Sequence, residues 1–218
     1  MGSRVFDAGQ QALLAPSRRW DGLSVGLYGG SFNPAHAGHV HVSQRAIKHL
    51  QLDALWWLVS PQNPLKHSAD MAPFHKRCES AQSIVKSRKI YISGAEKHFA
   101  TQYSADTIAR LQQRFKRTRF IWVIGADNLA SFHHWRDWHQ IFTRLPIAVI
   151  DRPGYSLPAF SSLAAQRYRA SRLPARQAPL LKRVKAPAWT YLTGPLHPAS
   201  ATRIRTQQPD WAGKADDA

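Results

Sequence analysis

Short apolar runs alternate along this chain with longer stretches in which apolar positions recur every three or four residues. Ser24–Tyr28 is a brief apolar run ending in Gly-Gly, the pattern of a buried strand feeding a tight turn. Residues 38–50 follow with helical spacing through Val42, Ala46, Ile47 and Leu50. Ala54–Val59, ALWWLV, predicts a second buried strand, and a proline-bearing loop, SPQNPLKH, comes after it. Pro73 suits the first turn of a helix continuing to about Lys86, where its missing N–H costs nothing. Lys89–Ser93 predicts a third strand, Ser104 suits the N-cap of a helix through Phe115, and Phe120–Ile124 predicts a fourth strand ending at Gly125. An aromatic-rich helical segment over Trp135–Phe142 leads to a strand at Pro146–Ile150 and a turn at Asp151-Arg152-Pro153-Gly154. Residues 159–172 pattern as a basic helix, Trp189–Leu192 as a last strand, and Ser200 as the cap of a final helix.

Strands separated by helices of this length indicate a doubly wound α/β fold, a Rossmann-like parallel sheet with helices on both faces, in a single domain. Residues 1–22 show little periodicity and read as a loosely packed N-terminal extension; the domain spans 23–206, and 207–218 form a C-terminal tail. The loops after Tyr28, Val59 and Ile124 all fall at strand C-termini, where such sheets bind ligands.

Composition narrows the setting. The chain has 218 residues, enough to bury a sizeable core. No apolar stretch approaches the ~18–20 residues of a membrane span, and the N-terminal segment is too polar and broken for a signal peptide, so a cytoplasmic protein without membrane contact is expected. The single cysteine, Cys78, excludes an internal disulfide and a multi-cysteine metal site, and reads as a passive thiol on a helix. The net charge of +17 implies anionic partners, nucleotides or nucleic acid. From Arg152 to Pro209 there is no Asp or Glu, while Arg167, Arg169, Arg172, Arg176, Lys182, Arg183, Lys185, Arg203 and Arg205 lie inside, predicting a basic face.

The chemistry concentrates first in Gly29-Gly30-Ser31-Phe32-Asn33-Pro34, followed by His36 and His39. Two glycines permit close backbone approach and positive φ, and the following helix aims free N–H groups at the same place, so a phosphate is the natural occupant. The two histidines share one face at a helix start. A metal pair would need further ligands, and the nearest acid downstream is Asp53. A structural pair is the other alternative. Phosphate is favoured because imidazole N–H donors there can stabilise charge on a phosphoryl group.

Gly29-Gly30-Ser31-Phe32-Asn33-Pro34-x-His36-x-Gly38-His39 resembles the signature of the His-x-Gly-His nucleotidyltransferase superfamily, and within it the chain is most similar to bacterial nicotinate-nucleotide adenylyltransferases. Ser60-Pro61-Gln62-Asn63-Pro64-Leu65-Lys66-His67, Tyr103-Ser104-x-Asp106-Thr107, Ile124-Gly125-Ala126-Asp127-Asn128 with Trp135, and Ser200-Ala201-Thr202-Arg203-Ile204-Arg205 match further motifs in order. The resemblance implies adenylyl transfer from ATP to nicotinate mononucleotide, with release of pyrophosphate. It implies that His36 and His39 contact the ATP phosphates, helped by Gly29, Gly30, Ser31 and the amides around Phe32, while Lys66 and Arg205 add positive charge. Ser200 and Thr202 join Arg205 in a second phosphate site, Asp127 accepts from ribose hydroxyls, and Gly125 lets the adenosine lie close. Asn63, Tyr103, Ser104, Thr107, Trp135 and Arg136 then bind the nicotinate nucleotide, with Trp135 stacking on the ring and Ser104 and Arg136 facing its carboxylate. Mg²⁺ is expected to be carried mainly by the ATP phosphates, with no protein metal site. Self-association stays open.

The chain departs from the pattern at Ala201, where many relatives have a second serine, and at Ala199. Nicotinamide mononucleotide and phosphopantetheine adenylyltransferases are the near rivals, although the latter carry Thr where His36 stands. A nucleic-acid-binding protein is the distant one, set aside because a binding module does not require both phosphate motifs in order.

Overall fold

The computed structural model describes residues 12–15, 18–61 and 71–211. Its sheet has seven strands, β1 (Ser24–Gly30), β2 (Ala54–Val59), β3 (Ile90–Ser93), β4 (Arg119–Gly125), β5 (Ile147–Ile150), β6 (Arg172–Leu173) and β7 (Trp189–Leu192). They lie in the order β3-β2-β1-β4-β5-β7-β6, and every pairing is parallel. The α-helices, in chain order, are α1 (Ala37–Leu50), α2 (Phe74–Ile84), α3 (Ala95–His98), α4 (Ser104–Arg114), α5 (Ala126–Ser131), α6 (Trp138–Arg144), α7 (Ser156–Ser161), α8 (Leu163–Arg167) and α9 (Ala201–Gln207). Among the described residues no helix is long and apolar enough to cross a membrane.

The strands read as unbroken apolar runs because both faces of the sheet are covered. Successive side chains point to opposite faces, so each strand feeds two cores. Val25, Leu27, Trp56, Leu58, Trp122, Ile124, Ile147, Val149, Trp189 and Tyr191 meet α4–α8 on one face. Tyr28, Leu55, Trp57, Val59, Ile121, Val123, Ala148, Ile150 and Leu192 meet α1, α2 and a 3₁₀ segment at Ala175–Lys182 on the other.

Several expectations shift. The first strand continues to Gly30, because Gly29 and Gly30 pair with Leu58 and Val59 of β2 instead of turning. Ser104 is the first residue of α4, not its cap; Tyr103 is the N-cap and gives no side-chain bond. The aromatic helix begins only at Trp138, since Phe132–His134 is a separate 3₁₀ turn and Asp137 adopts left-handed backbone, φ 54°. The basic helix over 159–172 is instead α7 and α8, broken at Ser162, whose hydroxyl accepts from Ala165 N–H at 3.2 Å and so starts a new helix.

Within the expected extension, the described residues are not loosely packed. Leu13, Leu14 and Trp20 are buried in the first core, where Trp20 meets Trp56 edge-on with ring centroids 5.1 Å apart. The carbonyls of Leu14 and Trp20 accept from Arg114 and Thr118. In the basic C-terminal third, Arg167, Arg169, Arg172, Arg176, Arg183 and Lys185 are exposed, and Arg172 also lies over the rings of Phe160 and Trp189. Trp20→Ala is expected to lower stability by about 3–5 kcal/mol in denaturant unfolding. A loss under about 0.5 kcal/mol would return this segment to the status of an extension.

Candidate active site

The chain moves from β1 to β2 across one face of the sheet and from β4 to β5 across the other, so the direction of winding reverses between β1 and β4. A crevice opens at that point, beyond the strand C-termini. It holds a cavity of about 780 Å³, with the turn after β1, the start of α5 and the residues before α9 on its walls. Gly29, Gly30, Ser31, Phe32, His36, His39, Asp127, Ser200 and Thr202 all reach it, as do Tyr103, Ser104, Trp135 and Arg136.

The two glycines are needed for a different reason from the one the sequence suggested. Neither has positive φ. A Cβ on Gly29 would stand 3.0 Å from the Trp122 ring, and one on Gly30 3.2 Å from the Phe32 ring. Positive φ falls instead on Phe32, at 46°, a region disfavoured for residues with a side chain. Its ring is held by stacking on Trp57, centroids 4.7 Å apart and planes at 11°.

His36 caps α1. Its Nδ1 accepts from Gly38 N–H at 3.1 Å, while the His36 N–H donates to Nδ1 of His39, also at 3.1 Å. Both rings spend Nδ1 as an acceptor, which places the proton of each neutral ring on Nε2 as a donor. Burial, with Arg152 and His197 nearby, pushes the His36 pKa down to about 4, so the ring is uncharged at neutral pH. The His39 carbonyl accepts from Ser43 Oγ at 2.8 Å, and Ser43 accepts from Trp57 Nε1 at 2.7 Å, tying the start of α1 to β2.

Arg77, 1 % exposed on α2, binds the loops beside the cavity together. Its guanidinium donates to the carbonyls of Ser31 and Ser60 at 2.6 Å, Pro61 at 2.7 Å and Ala72 at 2.9 Å. Glu96 of α3 lines the cavity close by, and among the described residues its Oε2 has no hydrogen-bond partner. Burial lifts its pKa to about 7, against the opposing influence of Ser60 and Arg77. Across the cavity Arg152, just past β5, approaches Asp127 at 3.7 Å. Among the described residues Asp127 Oδ1 accepts no hydrogen bond. It lies over Gly125, where an added Cβ would come within 2.2 Å of that oxygen, so a carboxylate of the chain itself accounts for the glycine.

At the other end Trp135 packs obliquely on Phe132, centroids 4.9 Å apart, and Arg136 lies 4.6 Å over the Tyr103 ring. Ser104 opens α4, so its N–H has no acceptor within that helix. Thr107 does not reach the cavity. It is fully buried, and its hydroxyl pairs with Thr101 at 2.6 Å and donates to Tyr103 O at 3.2 Å, bracing the helix start. Arg205 is also outside the lining: Nη1 donates to the Asn33 carbonyl at 2.6 Å and Nη2 to Thr202 Oγ1 at 3.4 Å. Ser200 caps α9 by accepting from Arg203 N–H at 3.4 Å. Asn63 and Lys66 lie outside the described residues.

Residues 27–207 match the family described as Cytidylyltransferase-like. A protein of Methylorubrum extorquens, named "Probable nicotinate-nucleotide adenylyltransferase", is 45% identical over 185 residues, 85% of this chain and 100% of its own length. One of the same name from Brucella abortus (strain 2308) is 46% identical over 186 residues, covering 85% and 96%. The chain belongs to the cytidylyltransferase-like family, in its nicotinate-nucleotide adenylyltransferase branch. The fold agrees. The Plasmodium falciparum nicotinic acid mononucleotide adenylyltransferase complexed with NaAD superposes with a TM-score of 0.61 at 16% identity, over 84% of this chain and 83% of that one.

Within this family site, Arg152, Glu96 and Arg77 are not among the residues expected from the sequence. Arg152 could have been found, since it follows a strand at its C-terminal end, as Asp127 does. Glu96 and Arg77 gave no such signal: one sits on a four-residue helix, the other inside an ordinary helical pattern. The titrations oppose each other. His36, depressed to about 4, binds its proton in the unfolded chain first, so its contribution to stability is lost as pH falls from about 6.5 to about 4. Glu96, raised to about 7, holds its proton longer when folded, so its contribution is lost as pH rises from about 4.5 to about 7. His36→Asn keeps a capping acceptor without a titrating group. Denaturant unfolding between pH 4 and 6.5 should therefore show a stability that rises less with pH than in the wild type; parallel curves would contradict the neutral His36.

Proposed function

We propose that this protein transfers the adenylyl group of ATP to nicotinate mononucleotide, giving nicotinate adenine dinucleotide and pyrophosphate in NAD biosynthesis. One observation carries the reading: a single cavity at the sheet's switch point joins the histidine-bearing turn to Trp135 and the open start of α4. The names of the close relatives and the NaAD complex of the Plasmodium enzyme support the same substrates.

In the reaction an oxygen of the acceptor phosphate bonds to the α-phosphorus of ATP while the bond from that phosphorus to the β-bridging oxygen breaks. The electron pair leaves with pyrophosphate. Positioning and charge stabilisation suffice, without a protein nucleophile. His36 and His39 present Nε2–H donors to the phosphoryl oxygens, and His36 does so as a neutral dipole. Arg152 supplies fixed positive charge beside them. The Asp127 carboxylate accepts from ribose hydroxyls. Ser104 N–H and Arg136 meet the nicotinate carboxylate, an anion that rewards donors more than the neutral amide of nicotinamide does. Lys66 and Asn63 are assigned to the phosphates and to the nicotinate nucleotide on the family motif.

Mg²⁺ enters this scheme on the triphosphate. The phosphate half of the cavity offers hydrogen-bond donors, and among the described residues no three His, Cys, Asp or Glu are grouped to hold a metal. That donor set suits an ion ligated by phosphate oxygens and water. We also place the enzyme in the cytoplasm, in keeping with its single cysteine.

Pyrophosphate release from ATP, measured with nicotinate and nicotinamide mononucleotides and with and without Mg²⁺, tests the assignment. At least about tenfold higher kcat/KM for the acid is expected, corresponding to one desolvated charge-assisted contact. Equal or reversed preference would overturn the substrate. Trp135→Ala should raise the KM for nicotinate mononucleotide about tenfold, the scale of one lost base stack, while moving that for ATP less than about twofold. An effect on ATP alone would put the ring in the other half of the cavity.

A further inference from the structure

Trp211 stands beyond the residues that match the family, in a 3₁₀ turn at Pro209–Trp211 within the expected C-terminal tail. Its Nε1–H donates to Asn33 Oδ1 at 2.7 Å. Asn33 lies in the wall of the cavity, 4 % exposed, between the glycines of β1 and His36. The same Oδ1 accepts from Ala72 N–H at 3.1 Å, and the Asn33 carbonyl accepts from Arg205 Nη1 at 2.6 Å. Three donors, one before α2 and two from the continuous stretch of α9 and the 3₁₀ turn, thus converge on one residue of the phosphate-facing turn. With two donors on its oxygen, the amide is fixed in orientation. The Trp211 ring is held in turn by Lys76 of α2, whose Nζ lies 5.1 Å from the ring. The next residue of that helix is Arg77, which grips the Ser31 carbonyl of the same turn.

We propose that Trp211 is a positioning residue: its indole N–H latches the C-terminal turn onto Asn33 and holds residues 31–36 in the conformation that receives the ATP phosphates. The role toward ATP rests on the adenylyl-transfer reading; the latch on Asn33 does not. The indole touches neither the histidines nor Asp127 in the hydrogen bonds it makes, so its effect passes through Asn33.

Trp211→Phe removes the donor and keeps a ring for Lys76. One partly buried hydrogen bond to a turn that must be in place for turnover sets the expected scale, a fall in kcat of about three- to tenfold, with the KM for nicotinate mononucleotide moving less than about twofold. Combined with Asn33→Ala in a double-mutant cycle, the Trp211→Phe effect should largely vanish, because its partner is already gone. Amide hydrogen exchange over residues 31–36, followed without substrate, should speed up about threefold or more in Trp211→Phe. Unchanged exchange there would overturn the latch, and so would a Trp211→Phe effect of full size in the Asn33→Ala background. An unchanged kcat alongside faster exchange would overturn the positioning role. If the wild type formed no dinucleotide while exchange rose as expected, the adenylyl-transfer reading would fall and the latch would stand.

Discussion

Strand β1 is hydrogen-bonded on both edges, to β2 from Val25 to Gly30 and to β4 from Ser24 to Tyr28. Right-handed crossovers then send the chain over one face on the way to β2 and over the other on the way from β4 to β5. No connection can cross the gap between β1 and β4 at their C-terminal ends. The cavity is therefore a consequence of strand order before any side chain is considered. What the side chains add is a floor of glycine and aromatic residues. Gly29 and Gly30 leave room for the Trp122 and Phe32 rings, and Phe32 rests on Trp57.

Backbone groups set the electrostatics of this crevice as much as charges do. Two imidazoles accept from main-chain N–H groups and are thereby committed to donating from Nε2. The buried guanidinium of Arg77 is compensated mainly by four carbonyls, which suits a group whose purpose is to hold loops at fixed separation. Breaking such a group's contacts would leave several buried acceptors unsatisfied, the kind of loss that a fold tolerates poorly. Arg152 and Asp127 stand near each other at 3.7 Å without a hydrogen bond between them, so neither charge is fully spent on the other.

Much of the fold was legible in the sequence. The runs Ala54–Val59 and Trp189–Leu192 appear as strands with the expected ends, because a strand covered on both faces has to be apolar throughout. Helix boundaries were less legible. Residues 159–172 have helical composition, yet Ser162 caps a second helix through the nearby Ala165 N–H, and Arg172 enters a strand whose partner, β7, is distant in the chain. Trp20 carried no periodic signal, and its burial follows from Trp56 and Tyr91 lying where its ring can pack.

The sequence by itself determined the class of sheet, the turn that carries His36 and His39, and the order of the motifs, since these rest on local spacing and on residue types that few other roles require. Tertiary structure decided which groups face the cavity. Thr107 turned inward to Thr101, Arg205 was spent on Asn33, Glu96 came to the cavity from a four-residue helix, and Trp211 came to its wall from the end of the chain's described part. The physical reason is the same for Thr107, Arg205 and Trp211. A polar side chain in a closed fold goes to whichever partner satisfies it, and that partner is brought near by the path of the chain.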